Sequence, residues 1–350
     1  MDLIHPSTKA DLVDAVRAAN ADGRRLLLVG GRRHLDKGNP SEVDAELWTT
    51  QLDRLVSYEP AEMIAVVEAG MRIGELNRLL ADGGQEWPSD APADATVGGV
   101  IASGASSVRR LKVGALRDTV LEAEVVTGDG RLVRSGARTV KNVTGYDLHK
   151  LVAGSLGTLA VIVQVALKLR PLPQAGRTLR FQGGLDVARR ALASVPAAAG
   201  ALVTPSGIEL RLEGWHAEVQ EQAGAAADAV GAAVDTNDDG PFPSDAPWES
   251  SPVVAEVAVP PSKLELATVG DAWGSLAGVG LAWVGLDHAD GELEALRGRV
   301  RVVGGIAPVV KGPGGLGGGL VPAPDVHRRL KDAFDPNAVL APGRAWGVPS

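Results

Sequence analysis

The 350-residue sequence predicts an α+β fold: two α/β subdomains over residues 1–173, a smaller ferredoxin-like cap over 174–310, and a segment over 311–350 that packs back on the first domain. Three observations predict it. The chain opens with a helix, a strand and a double glycine, the start of an α/β unit. Pro171-Leu172-Pro173 halts regular structure, and the composition turns towards alanine after it. Two successive β-α-β patterns then follow.

Thr8 and Asp11 are spaced as a capping box, and Leu12, Val13, Val16 and Ala19 recur at helical spacing, so residues 8–21 are predicted as an amphipathic helix. The apolar run 25–29 reads as a short buried strand feeding Gly30-Gly31, with a turn-rich loop at 32–40. Strands are expected at 52–58 and 64–69, and a helix at 73–81 bearing Leu76, Leu79 and Leu80. Residues 88–104 are rich in Pro, Gly, Ser and Ala and are left without an element. Gly128-Asp129-Gly130, between 120–126 and Leu132-Val133, is a hairpin signal. A polar turn at 141–145, a short helix at 146–152, the run Gly154-Ser155-Leu156-Gly157-Thr158 and a strand at 159–169 complete this half.

The cap reads as strand 178–182, helix 185–194, strand 200–212, helix 215–234 and a loop containing Asp238-Asp239-Gly240-Pro241. It continues as strand 252–259, helix 261–269, strand 279–285, helix 290–298 and strand 299–304, giving a sheet with helices on one face. No internal repeat of 20 to 50 residues is visible. The tail carries a glycine-rich loop at 312–319 and a helix at 324–333.

Composition limits the function. The absence of cysteine excludes disulfides, thiolate zinc sites, a cysteine nucleophile and an iron-sulfur cluster held by this chain's own thiolates. Electrons passing through the protein would need a flavin or a partner. A formal charge of −8 argues against nucleic-acid binding. No apolar run approaches the ~20 residues of a membrane span, so no transmembrane segment is expected. The opening Met1-Asp2-Leu3-Ile4-His5-Pro6 lacks a signal-peptide pattern, so a cytoplasmic protein is expected. The six histidines show no metal spacing, and there is no Gly-x-Ser-x-Gly elbow. His149 reads as a surface or supporting residue rather than a base. Basic residues crowd the first third, at Arg24-Arg25, Arg32-Arg33, Arg109-Arg110, Lys112 and Arg117. They form either a solvated surface or a local field for one anionic ligand.

The chemical signal is a set of separated glycine clusters: Gly30-Gly31, Gly98-Gly99 with Gly104, and Gly154 with Gly157. Backbone N–H groups reach phosphate oxygens most readily where no Cβ intervenes and positive φ is allowed, which makes these turns suited to a diphosphate. Taken singly, each is an ordinary turn. The first does not fit the G-x-G-x-x-G spacing, so a Rossmann nicotinamide site is not expected.

The run Ala95-Thr96-Val97-Gly98-Gly99-Val100-Ile101-Ala102-Ser103-Gly104, with Gly114 and Arg117-Asp118 after it, resembles the second FAD-binding stretch of the vanillyl-alcohol-oxidase superfamily, whose FAD-binding domain is of PCMH type. Lys141-Asn142-Val143-Thr144-Gly145-Tyr146-Asp147, followed by Leu151 and Gly154-Ser155-Leu156-Gly157-Thr158-Leu159, resembles the E-subunit family of bacterial glycolate oxidases. Phe334-Asp335-Pro336-Asn337-Ala338-Val339-Leu340-Ala341-Pro342-Gly343-Arg344 is similar to that family's closing motif. The resemblance spans residues 1–173 and the tail, and fades between 174 and 320.

What the resemblance implies is non-covalent FAD. Gly30, Gly31, Arg32, Arg33, His34 and Leu35 would wrap the pyrophosphate. Thr96, Val97, Gly98 and Gly99, with Ala102, Ser103 and Gly104, would line the flavin and ribityl chain, and Gly114 and Arg117 belong to the same stretch. Gly157 and Ile162 would close on flavin or adenine, and Arg344 would return to the cofactor. Lys141, Asn142, Tyr146 and Asp147 match the motif, either bracing the domain or touching ligand. The implied role is electron transfer in a 2-hydroxy-acid dehydrogenase or oxidase complex acting on a small hydroxy acid. Its partners would be a catalytic flavoprotein subunit and an iron-sulfur subunit, in the cytoplasm or at the inner face of the membrane through those partners. A flavin-free scaffold and a self-sufficient FAD oxidase are the alternatives.

This sequence departs from the family's Arg-Gly-Gly-Gly-Thr phosphate loop: Val29, Arg32 and Arg33 stand where the first Arg, the third Gly and the Thr are expected. Arg32 either supplies charge to a phosphate or fills the groove. In covalent relatives a His follows the glycine pair directly, whereas His34 lies three residues beyond Gly31, so covalent linkage is not expected. No general base is evident; Arg211, His216 and His288 are the cap's candidates.

Overall fold

Strand β1 (Asp2–Ile4) leads into helix α1 (Lys9–Ala21), where Thr8 Oγ1 accepts from Asp11 N and the Asp11 carboxylate accepts from Thr8 N, so the capping box is formed. Leu12, Val13, Val16 and Ala19 of α1 share one buried cluster with Leu26 of β2 (Leu26–Val29) and Leu47 of β3 (Ala45–Trp48). These strands form a parallel sheet in the order β1-β3-β2. The computed structural model describes residues 1–138, 146–195, 198–231, 235–237, 242–289, 291–313 and 323–345. The motif residues 141–145, the loop residues 238–241 and most of the glycine loop, 314–319, lie outside them.

The chain continues through β4 (Leu55–Glu59), β5 (Ile64–Glu68), α2 (Ile73–Ala81), β6 (Gln85–Glu86), α3 (Val97–Ser103), α4 (Arg110–Val113), β7 (Val120–Thr127), β8 (Leu132–Gly136), β9 (Ala160–Lys168) and β10 (Arg170–Pro171). An antiparallel sheet runs β4-β5-β9-β7-β8, and β10 pairs with β6. The hairpin expected around Gly128-Asp129-Gly130 is the β7-β8 pair. Val67, Val165 and Leu167 of the sheet share a core with Leu76 and Leu80 of α2 and Val97, Val100 and Ile101 of α3. Helix α3 forms in the glycine-rich stretch that carried no assigned element. Thr96 Oγ1 caps it by accepting from Gly99 N at 3.3 Å, and Val97, Val100 and Ile101 repeat at helical spacing. The expected helix at 146–152 is a 3-10 turn, Leu148–Val152.

The second half contains β11 (Ala175–Phe181), α5 (Leu185–Ser194), β12 (Ala198–Thr204), β13 (Gly207–Gly214), α6 (His216–Val230) and β14 (Asp235–Asn237). It then runs through β15 (Val253–Ala258), a 3-10 stretch at Pro261–Ala267 in place of the expected helix, β16 (Trp273–Leu276), β17 (Leu281–Leu286), α7 (Glu292–Arg301) and β18 (Val309–Lys311). One antiparallel sheet orders them β14-β11-β13-β12-β16-β17-β15-β18. The order contains two ferredoxin-like halves, each with its four strands arranged 4-1-3-2, joined where the second strands of the halves, β12 and β16, pair. The expected strand 200–212 is a hairpin, because Pro205 offers no N–H to a ladder and Gly207 turns at φ +139°. The expected strand at 299–304 begins instead as the end of α7, whose Leu293, Leu296 and Val300 are buried at helical spacing.

Helix α8 (Pro324–Phe334) precedes a segment that docks on β2: Leu26 N donates to Val339 O at 2.7 Å, and Ala341 N donates to Leu26 O at 2.8 Å. Buried Lys331 donates to Thr158 O and Leu340 O, both at 2.8 Å, while the Asp335 carboxylate accepts from Val339 N and Leu340 N. The chain divides into two compact units, Met1–Ser106 with Ala115–Leu172 and Leu320–Ser350, and Ser107–Gly114 with Pro173–Gly319. Among the described residues no helix is long and apolar enough to cross a membrane.

Candidate cofactor-binding site

Strand β2 ends at Val29, and the chain turns at once through Gly30 and Gly31. Both lie where side chains would not fit: a Cβ on Gly30 would stand 2.2 Å from Thr96 Oγ1, and one on Gly31 would stand 2.6 Å from Asp94 O. Arg32 follows in the left-handed region at φ +58°, a conformation uncommon outside glycine. Among the described residues, the backbone N–H groups of Gly31, Arg32, Arg33 and His34 donate to no protein acceptor. A run of successive free amides is the composition of an anion cradle.

A second turn is brought against the first by α3, where Gly98 abuts Ala69 so closely that a Cβ would meet the Ala69 methyl at 2.7 Å. The third is Gly154-Ser155-Leu156-Gly157. Leu156 takes φ +53°, its N–H donates to Ala102 O at 2.8 Å, and Gly154 N donates to Ile101 O at 3.0 Å. These bonds tie the third turn to α3. Two non-glycine residues in left-handed conformations, Arg32 and Leu156, thus border one cleft, and such strain concentrates at ligand sites.

The three turns border one solvent-open cleft that encloses about 720 Å³ of space outside protein atoms, the solvent at its mouth included. Of the residues picked out in the sequence, it is lined by Gly30, Gly31, Arg32, Arg33, His34, Leu35, Thr96, Gly98, Gly99, Ala102, Ser103, Gly157, Ile162 and Arg344. Four others are elsewhere. Val97 is buried in the core beneath α3, and Gly104 ends that helix at φ +61° against Gly154. Gly114 belongs to the second unit, and Arg117 is exposed beside Asp118 at 3.8 Å. The sequence reading missed Leu28, Val29, Thr49, Ala69, Ala95, Val100, Leu156, Ala160 and Val161. Most are apolar strand or helix residues with no chemical signature, although Ala95, Val100 and Leu156 sit inside quoted motifs.

Among the described residues no carboxylate lines this cleft, whereas three arginines and a histidine do. The Arg32 guanidinium does not plug it: the side chain forms a bidentate pair with Glu46, at 3.1 and 3.2 Å, and lies over the Trp48 ring at 5.1 Å. Arg33 donates from Nε and Nη2 to the two carboxylate oxygens of Asp94. Arg344 is buried and donates to Leu35 O at 2.8 Å, and Asn39 N donates back to Arg344 O at 2.9 Å, so the tail clasps the phosphate-type loop. Burial lowers the Arg344 pKa. Burial, reinforced by Lys37 and opposed by Asp36, lowers His34 below its ordinary 6.5. His34 Nε2 is buried without a protein partner. Free amides, a lining without carboxylates among the described residues and an orphaned imidazole nitrogen fit an anionic dinucleotide such as FAD.

The cap's candidate base and binding residues are otherwise engaged or exposed. Arg211 donates to Glu213 and Thr178, each at 3.2 Å, while His216 and His288 lie on the surface. No cluster of three or more potential metal ligands occurs among the described residues.

Comparison with known proteins agrees with this geometry. The FAD binding domain family matches residues 3–136. The glycolate oxidase subunit GlcE of Escherichia coli (strain K12) is 28% identical over 96% of this chain and 96% of its own length. A D-lactate dehydrogenase of Archaeoglobus fulgidus is 34% identical over 48% of this chain, a match that spans only 38% of that enzyme. Among solved structures, an alkyldihydroxyacetonephosphate synthase superposes with a TM-score of 0.71 at 16% identity, covering 97% of this chain and 76% of the other, a likeness of fold.

Proposed function

We propose, from the premise that this chain is an FAD-dependent oxidoreductase homologue with the PCMH-type FAD-binding fold, that it is the FAD-binding subunit of a glycolate-type 2-hydroxy-acid dehydrogenase or oxidase. The observation that carries the reading is the meeting of three glycine turns in one cleft, with free amides and no carboxylate among the described residues. The names of the relatives supply the substrate class, since glycolate and lactate are both 2-hydroxy acids.

In this reading the amides of residues 31–34 bind the diphosphate, Arg344 holds the loop from behind through the Leu35 carbonyl, and α3 and the 154–157 turn bracket the remainder of the cofactor. When bound, FAD exchanges a two-electron change for single-electron steps, chemistry that belongs to the cofactor. Apolar Ala69, Val100, Ala160 and Val161 keep water from that part of the cleft. FAD is held without a covalent bond: the chain has no cysteine, and His34 does not follow the glycine pair directly. Among the described lining residues His34 is the one imidazole, burial holds its pKa below 6.5, and it sits at the phosphate end. Substrate oxidation is therefore assigned to a catalytic flavoprotein partner, with an iron-sulfur subunit accepting the electrons and the complex in the cytoplasm or at the inner membrane face.

The test is the absorption spectrum of the purified chain before and after denaturation. A flavin band that is released to the supernatant on denaturation supports the reading, and a chain that stays colourless after incubation with FAD overturns it. Bleaching of the band by glycolate or lactate with this chain alone would place substrate oxidation here rather than in a partner.

A further inference from the structure

We infer that Arg32 is a positioning residue, whose anchorage on Glu46 and Trp48 holds the phosphate-type loop in its left-handed turn and keeps the guanidinium out of the anion cradle; this rests on the FAD reading above. Position 32 has φ +58°, which a side chain disfavours and which persists only where surrounding contacts over-determine it. Those contacts are present. The Glu46 side chain is 3% exposed and accepts from both terminal guanidinium nitrogens, at 3.1 and 3.2 Å. Trp48 Nε1 donates to the same carboxylate at 2.9 Å, which fixes its orientation, and the Trp48 ring lies under the guanidinium at 5.1 Å while His5 stacks on that ring at 5.5 Å. Neither Glu46 nor Trp48 lines the cleft.

Two consequences follow from the chemistry. The planar fork of arginine matches the carboxylate at two points, so the side chain supplies at position 32 the conformational restraint that glycine would make unnecessary. The Glu46 charge also cancels that of Arg32, so the diphosphate meets backbone amides rather than the guanidinium. A carboxylate outside the cleft thereby controls cofactor affinity.

The experiment titrates FAD into the apo chain, followed by flavin fluorescence, with thermal unfolding of each variant as the folding control. Glu46→Gln releases the anchor and raises the FAD dissociation constant about tenfold, as does Arg32→Lys, which lacks the fork. Arg32→Gly binds within about twofold of the parent, and Arg32→Gly/Glu46→Gln matches Arg32→Gly, because no side chain is left to anchor. Glu46→Gln binding like the parent, or Arg32→Gly weakening as much as Arg32→Lys, overturns the inference. Should Glu46→Gln not fold, Arg32→Lys against Arg32→Gly decides alone. A parent chain that takes up no FAD overturns the cofactor reading itself, a different result from a parent that binds and variants that do not differ.

Discussion

Replacing Gly30 by alanine tests whether the first two glycine turns meet on one ligand. The added Cβ would stand 2.2 Å from Thr96 Oγ1, far inside ordinary contact. Thr96 then has two ways to yield. It can rotate, giving up the cap that accepts from Gly99 N at 3.3 Å, at a cost of about 1 kcal/mol. Alternatively the turn at Gly30-Gly31 backs away by roughly 1 Å, but Gly31 is itself pressed against Asp94 O, and backbone does not give as a side chain does. Either route costs about 1–2 kcal/mol in the geometry that binds ligand, so the FAD dissociation constant should rise about 5- to 30-fold. The assay is fluorescence titration at fixed ionic strength, because salt screens the basic lining. Gly224→Ala is the control: it lies within α6 with nothing inside 4 Å of its added Cβ, and it should stabilise by about 0.5–1 kcal/mol without changing affinity. A Gly30→Ala chain that binds within about twofold of the parent, or a control that loses affinity equally, refutes the convergence of the turns.

Lys331→Met leaves the Asp335 carboxylate buried beside an apolar chain and strips Thr158 O and Leu340 O of a donor, so it should cost about 3–5 kcal/mol in urea unfolding; a loss under about 1 kcal/mol contradicts the assigned pairing. His34 and His149 both have folded-state pKa values depressed below 6.5, mainly by burial, with Lys37 against Asp36 and Lys150 against Asp147 as the opposing charges. The unfolded chain therefore binds protons more readily, and the stability these residues contribute is present above about 6.5 and lost as pH falls from there through the folded values. His34→Gln and His149→Gln should flatten the melting temperature between pH 7.5 and 5.5 relative to the parent, and parallel curves would count against it. Trp87→Ala, which removes a fully buried indole bonded to Thr119 Oγ1 at 2.9 Å, should destabilise by about 3–5 kcal/mol, with near-parent stability the contrary result.

Much of the fold was legible where local signals agree with the tertiary outcome. The α1 capping box, helix α2 and helix α5 have their periodicity and their ends written in the same few residues. The errors fall where a local signal was outweighed. Valines 300, 302 and 303 favour a strand, yet Leu293, Leu296 and Val300 are buried at helical spacing, and α7 runs on to Arg301. Glycines in α3 obscured a helix that exists because Thr96 caps it and Gly98 allows close approach to Ala69. The doubled ferredoxin-like pattern is not legible in the sequence, because the likeness of the two halves lies in strand order rather than in residues.

By itself the sequence determined the chemistry available to this protein: bare-backbone turns at three places, no thiol, and paired arginines in the first third. Those are properties of residue types, which spacing alone reveals. Only the tertiary structure decided that the turns share one cleft, that Arg344 arrives there from the far end of the chain, and that Arg32 is drawn aside by Glu46. Such outcomes depend on contacts between residues far apart in sequence, and no local periodicity encodes which distant carboxylate a guanidinium will meet.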